Sequence, residues 1–160
     1  MSNSSPAVGA AAPSFEALPV VGAEGETLSS AMLDGQRYVL YFYPKDDTPG
    51  CTTQACDFRD QGAAFEALGY KIFGVSPDSV KRHVNFREKY GLPFPLVSDP
   101  EHLLAERFGV WREKKNYGRV YMGIVRSTFV VDEAGVLLHC LENVRAKGHV
   151  ERLLALLSGK

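Results

Sequence analysis

Two cysteines stand five positions apart in "TPGCTTQACDF", Cys51 and Cys56, and a third, Cys140, lies far downstream. Such a pair has four readings: a structural disulfide, a metal site, redox chemistry, or two small buried side chains without chemistry. If both sit on one helix, at 100° and 1.5 Å per residue, their Cα atoms are about 8.6 Å apart. A disulfide spans at most ~7 Å, so a bond between them requires the helix to unwind. A zinc site needs four ligands, and Cys140 with the scattered His83, His102, His139 and His149 completes one poorly. A thioredoxin-like C-x-x-C dithiol is absent from the sequence. Cys51 follows the turn Thr48-Pro49-Gly50 at the mouth of a predicted helix. Unpaired backbone N–H groups and the helix dipole favour a thiolate at such a place.

The elements around the pair set its surroundings. "QRYVLYFY" is apolar at nearly every position, the mark of a strand buried on both faces. "TTQACDFRDQGAAFEALG" reads as a helix stopping at Gly69, with Cys51, Ala55, Phe58, Gly62 and Phe65 on one inward face. "YKIFGVS" is a second buried strand, "SPDSVKRHVNFREKYG" a second helix, "FPLVSD" a short strand and "PEHLLAERFGV" a third helix. "RSTFVVD" and "GVLLHCL" flank a hairpin turn in "DEAG", and "GHVERLLALL" is a last amphipathic helix. Upstream, "FEALPVVGAEGETLS" predicts a small hairpin. The order predicts an α/β fold with parallel strands first and an antiparallel pair at the end. Residues 1–14 are expected to be a flexible arm and 15–160 a single domain.

Composition excludes several classes. With 45% hydrophobic and 23% charged residues the chain is an ordinary globular one, not a disordered or collagen-like one. A net charge of −1 gives no nucleic-acid footprint, and the one basic stretch, "WREKKNYGR", reads as a solvated loop. No apolar run approaches the ~18 residues of a spanning helix, so no membrane partner is expected. The first residues make a poor signal peptide, and the expected compartment is the cytoplasm, where a cysteine pair is redox-active or metal-binding rather than a staple. Cys140 at strand spacing reads as a buried structural thiol, and His139 and His149 as surface or strand-end residues. Trp111 and the aromatics Phe42, Phe73 and Phe129 read as core.

"FYPKDDTPGCTTQAC" resembles the active-site segment of the peroxiredoxins, specifically the bacterioferritin comigratory protein (PrxQ) subfamily. The family pattern P-x-x-x-T-x-x-C is matched by Pro44, Thr48 and Cys51, with a second cysteine at Cys56, and "RSTFVVD" is similar to the segment carrying the family's arginine, here Arg126. The similarity runs over almost the whole chain.

The resemblance implies a thioredoxin-like fold, a central mixed sheet flanked by helices with an N-terminal extension, and a thiol peroxidase acting on hydrogen peroxide and organic hydroperoxides. It implies that Cys51 attacks the O–O bond and becomes a sulfenic acid, and that Cys56 resolves it as an intramolecular disulfide. Some members carry the resolving cysteine on the next helix, but "VNFREKYG" has none. Arg126 would hold the thiolate and polarise the peroxide; its plain alternative is a surface ion-pair partner. Thr48 would hydrogen-bond the peroxide, or only cap the helix. Pro44 would shield the thiol, or only end the strand. The backbone N–H groups of Gly50 and Cys51 would complete an oxyanion cradle. The family needs no metal or organic cofactor, a thioredoxin or glutaredoxin would be the reductant, and a monomer is expected. Rival readings are a thiol–disulfide oxidoreductase and a non-enzymatic redox sensor.

Overall fold

The run predicted as a central strand is β3 (Arg37–Phe42), buried at every position after Arg37. Its side chains alternate: Tyr38, Leu40 and Phe42 enter one core, while Val39, Tyr41 and the following Tyr43 enter the other. The computed structural model describes residues 6–23 and 25–159. Either side of β3 lie β4 (Tyr70–Ser76), parallel to it, and β8 (Ser127–Val131), antiparallel to it. β5 (Leu96–Ser98) continues the parallel side, and β9 (Leu137–Leu141) pairs antiparallel with β8. The expected N-terminal hairpin is present as β1 (Leu18–Val21) and β2 (Thr27–Leu28), and β1 adds to β5. The sheet order is therefore β2-β1-β5-β4-β3-β8-β9, the mixed thioredoxin-like sheet that the fold class anticipated.

Helices α1 (Pro49–Asp60), α2 (Gly62–Ala67), α3 (Val80–Tyr90) and α5 (His149–Leu157) supply Phe58, Phe65, Phe86 and Leu153 to one core. α4 (Leu103–Arg107) and the N-terminal segment, through Leu104, Phe15 and Leu33, cover the opposite face. The single helix expected over 52–69 is interrupted at Gln61, where φ −100 and ψ 9 leave the helical region. Of its predicted inward face, Cys51, Ala55, Phe58 and Phe65 are buried, and Gly62 is half-buried.

The basic stretch is not a loop. β6 (Trp111–Asn116) and β7 (Arg119–Ile124) form a separate hairpin whose turn residues, Tyr117 and Gly118, have φ 52 and 76, a type I′ turn. Trp111 is half-buried, stacked on His102 with ring centroids 3.6 Å apart. Phe42, Phe73 and Phe129 are core, as read. Of the expected arm, residues 9–12 lie along 135–137, with Gly9 and Ala12 donating to the carbonyls of Leu137 and Gly135 at 2.9 Å each. Residues 1–5 of that arm lie outside the described residues.

Candidate active site

β3 and β8 run in opposite directions, so the end of β3 and the start of β8 meet at one edge of the sheet; Phe42 pairs with Ser127. From that edge the chain passes through Tyr43 and Pro44 into α1, and Arg126 stands immediately before β8. The topology thus brings together residues 75 positions apart.

α1 begins at Thr48, an extended N-cap with φ −103 and ψ 156, followed by Pro49 at the first helical position. Proline suits that place because its missing N–H has no acceptor there in any helix. The Thr52 N–H donates to the Thr48 carbonyl at 2.8 Å, closing the first turn. The Gly50 and Cys51 N–H groups precede that closure and have no intrahelical acceptor. Cys51 is 1% exposed. Its Sγ accepts a hydrogen bond from Arg126 Nη2 at 3.4 Å, and Arg126 Nη1 donates to Gln54 Oε1 at 2.7 Å. One guanidinium therefore ties together the side chains at positions i and i+3 of the helix, which share a face. A Cβ on Gly50 would meet Arg126 Nη2 at 3.1 Å, so glycine there leaves the cation room to reach the sulfur.

Thr48 is half-buried and donates its Oγ1 hydrogen to the Lys45 carbonyl at 2.8 Å, leaving the oxygen's lone pairs as acceptors. It caps α1 through its backbone position and makes no side-chain cap bond. Pro44 is half-buried upstream on the same turn. Cys56 is half-buried on the next turns of the same helix, and all three cysteines are free thiols. Cys140 is half-buried at the edge of the other core, not fully buried as expected, and burial raises its pKa.

Three residues near the site have no signal in the sequence alone. Gln54 is fully buried, and its Nε2 has no partner among the described residues. Lys114 of β6 donates to the Ile124 carbonyl at 2.8 Å, two residues before Arg126. Burial, and then the Arg126 charge, lower the Lys114 pKa. His149, expected at the surface or a strand end, opens α5 instead; it is 2% exposed and bonded to Thr128 Oγ1 at 2.9 Å. Burial, then Arg152 and Arg126, push its pKa down to about 4. The expectation failed because His149 opens α5 where that helix packs on α1, a contact between elements far apart in sequence.

A thioredoxin-like sheet with a buried thiol at a helix N-terminus, held by an arginine, defines the chain as a thiol-based redox protein. Comparison with known proteins narrows this. The AhpC/TSA family matches residues 8–140. Peroxiredoxin Bcp of Bacillus subtilis is 51% identical over 147 residues, covering 92% of each chain. A solved structure of Xanthomonas campestris bacterioferritin comigratory protein, described in terms of its alkyl peroxide reduction activity, superposes with a TM-score of 0.84 at 42% identity over 90% of each chain. A cysteine-to-serine mutant of Xylella fastidiosa PrxQ superposes with a TM-score of 0.88 at 35% identity over 96% of each chain. The chain belongs to the AhpC/TSA family as a peroxiredoxin of the Bcp/PrxQ type. It is a peroxidase, with a peroxide as substrate and a thiol as reductant. Among the described residues no helix is long and apolar enough to cross a membrane.

Proposed function

We propose that Cys51 is the thiol that reacts with peroxide and that Cys56 resolves it, within a single domain spanning 15–160. The observation that carries this reading is the 3.4 Å contact between Arg126 and the buried Cys51 Sγ at the proline-headed start of α1. A fixed guanidinium and the first N–H groups of α1, which have no intrahelical acceptor, stabilise charge developing on the peroxide oxygens. The Cys51 thiolate attacks one oxygen, the S–O bond forms as the O–O bond breaks, and the leaving oxygen takes a proton as water or alcohol. Thr48, its own hydrogen engaged by Lys45, accepts a hydrogen bond from the peroxide, and Pro44 keeps water from the thiol. Both hydrogen peroxide and organic hydroperoxides are substrates.

The resulting sulfenic acid condenses with the Cys56 thiol, releasing water and forming the Cys51–Cys56 disulfide. Both residues lie on one helix, Pro49–Asp60. The helix must unwind locally for the ~7 Å limit on bridged Cα atoms to be met. A thioredoxin- or glutaredoxin-type reductant in the cytoplasm then reduces the bond, which is strained and exposed enough to exchange readily. The protein works as a monomer and needs neither metal nor organic cofactor, because sulfur carries the electrons.

Steady-state peroxide consumption with a thioredoxin system tests the reading. Cys51→Ser abolishes turnover, whereas Cys56→Ser retains one equivalent of peroxide reduction and loses recycling through the intramolecular bond. Full activity in Cys51→Ser sinks the assignment.

A further inference from the structure

Behind the turn that leads into α1 lies a buried charged network that the peroxidase chemistry does not use. Asp46, in the turn between β3 and α1, is 2% exposed, and His83 of α3 is fully buried. Asp46 Oδ2 meets His83 Nδ1 at 2.6 Å, and its Oδ1 accepts the Tyr43 hydroxyl hydrogen at 2.5 Å. Burial holds the Tyr43 pKa well above its ordinary value, so that hydroxyl stays a donor. On its other side, His83 Nε2 meets the Val97 carbonyl of β5 at 2.9 Å. Both ring nitrogens thus face oxygen acceptors.

A second acid completes the network. Asp78, 8% exposed, accepts from the Asp46 N–H at 2.7 Å, from Ser76 Oγ at 2.6 Å and from Arg82 Nε at 2.7 Å. Arg82 also reaches the Asp46 carbonyl at 3.3 Å. The ligand atoms of Asp46, Asp78 and His83 lie within 4.8 Å of one another, a spacing that would suit a cation. Their oxygens are already engaged by donors, one of them a guanidinium, which makes this an ion network and not a cation cradle.

The next residue shows what the network holds. Asp47 has φ 58, a left-handed conformation unfavourable for a non-glycine residue, and Lys89 Nζ and Tyr90 Oη each donate to its carboxylate at 2.8 Å. A strained residue persists where its surroundings over-determine it. Here α3 grips the turn through Arg82, His83, Lys89 and Tyr90, immediately before the Thr48 cap.

We propose that the His83–Asp46 pair is a positioning element of the peroxide site. It fixes the Tyr43–Thr48 turn against β5 and α3, and so sets Pro44, Thr48 and the first N–H groups of α1 around the Cys51 sulfur. This rests on the reading of Cys51 as the peroxide-reacting thiol. Peroxide attack needs every donor aligned on the O–O bond, whereas alkylation by iodoacetamide needs only an accessible thiolate. A loosened turn therefore lowers the first rate without lowering the second.

The test compares the two second-order rates at Cys51 in the Cys56→Ser background, for His83→Ala and for Tyr43→Phe, with folding checked by near-UV circular dichroism. In His83→Ala the ratio of peroxide rate to alkylation rate falls about tenfold, less than the ~100-fold of removing an oxyanion donor outright. A ratio within about twofold of the parent overturns the proposal, since one aligned hydrogen bond is worth more than that. If His83→Ala does not fold, Tyr43→Phe decides: it deletes one bond to Asp46, keeps the pair, and lowers the ratio about threefold, whereas an unchanged ratio overturns the proposal. A parent protein whose Cys51 does not outpace ordinary thiols with peroxide overturns the functional reading itself, independently of His83.

Discussion

Thr53 lies between the two cysteines, exposed, on the α1 segment that must open before they can bond. Its Oγ1 donates to the Pro49 carbonyl at 3.0 Å, a back-bond typical of threonine within a helix. Thr53→Ala and Thr53→Gly both delete that bond and touch nothing else in the site, so the two variants differ only in backbone freedom. Alanine and glycine differ by about 1 kcal/mol in a helix interior, equivalent to about fivefold in the population of the unwound segment. If unwinding precedes disulfide formation as a local equilibrium, the resolving rate carries that factor in full. Rapid acid quench after mixing with excess peroxide, followed by mass analysis, separates sulfenic acid formation from disulfide formation. The expected result is a resolving rate about fivefold faster in Thr53→Gly than in Thr53→Ala, with equal rates of sulfenic acid formation. Equal resolving rates in the two variants refute local unwinding as the gate, and a difference confined to the peroxide step refutes the placement of Thr53 outside the site.

Three further perturbations follow from the same geometry. Arg126→Met removes the charged donor to Cys51 Sγ and to Gln54; the peroxide rate falls by roughly 10- to 100-fold in stopped flow, and Arg126→Lys recovers part of it. Phe58→Ala empties a fully buried position stacked on Tyr41 at 4.6 Å, and urea unfolding shows a loss of about 3–5 kcal/mol. His149 in the folded protein takes up a proton only at about 4, against an ordinary 6.5. The unfolded chain therefore binds the extra proton first as pH falls, and stability drops between about 6.5 and 4 by at most roughly 3 kcal/mol, then levels off. His149→Gln flattens that slope in denaturation curves measured across the same window.

Much of this was legible in the sequence because local pattern and final role coincide. β3 is apolar at nearly every position because both faces are covered, and α1 announces itself through the Thr-Pro start and the Cys51–Ala55–Phe58 stripe. Arg126 was found by its segment's likeness to a family, not by any property of an arginine before a strand. What stayed hidden depends on contacts between distant elements. Gln54 gains its partner from 72 residues away, and Asp46 from 37. Nothing about an Asp in "PKDDTPG" distinguishes a buried, hydrogen-bonded carboxyl from a turn residue. The β6–β7 hairpin escaped because β6 is largely charged and the apolar Val120, Tyr121 and Met122 of β7 are exposed in succession, so no alternation marks a buried face, and the positive φ at Tyr117 is not a usual turn signal. The interruption of the helix at Gln61 leaves the buried stripe intact on both sides, so periodicity could not register it.

The central claim is that Cys51 and Cys56, separated on an intact helix, become bonded during one reaction. Treating the reduced protein with one equivalent of hydrogen peroxide, blocking free thiols and mapping the peptides tests it directly. The account predicts a single disulfide joining Cys51 to Cys56, with Cys140 recovered as a blocked free thiol. A disulfide that includes Cys140, or oxidation that begins at Cys56 while Cys51 stays reduced, contradicts it.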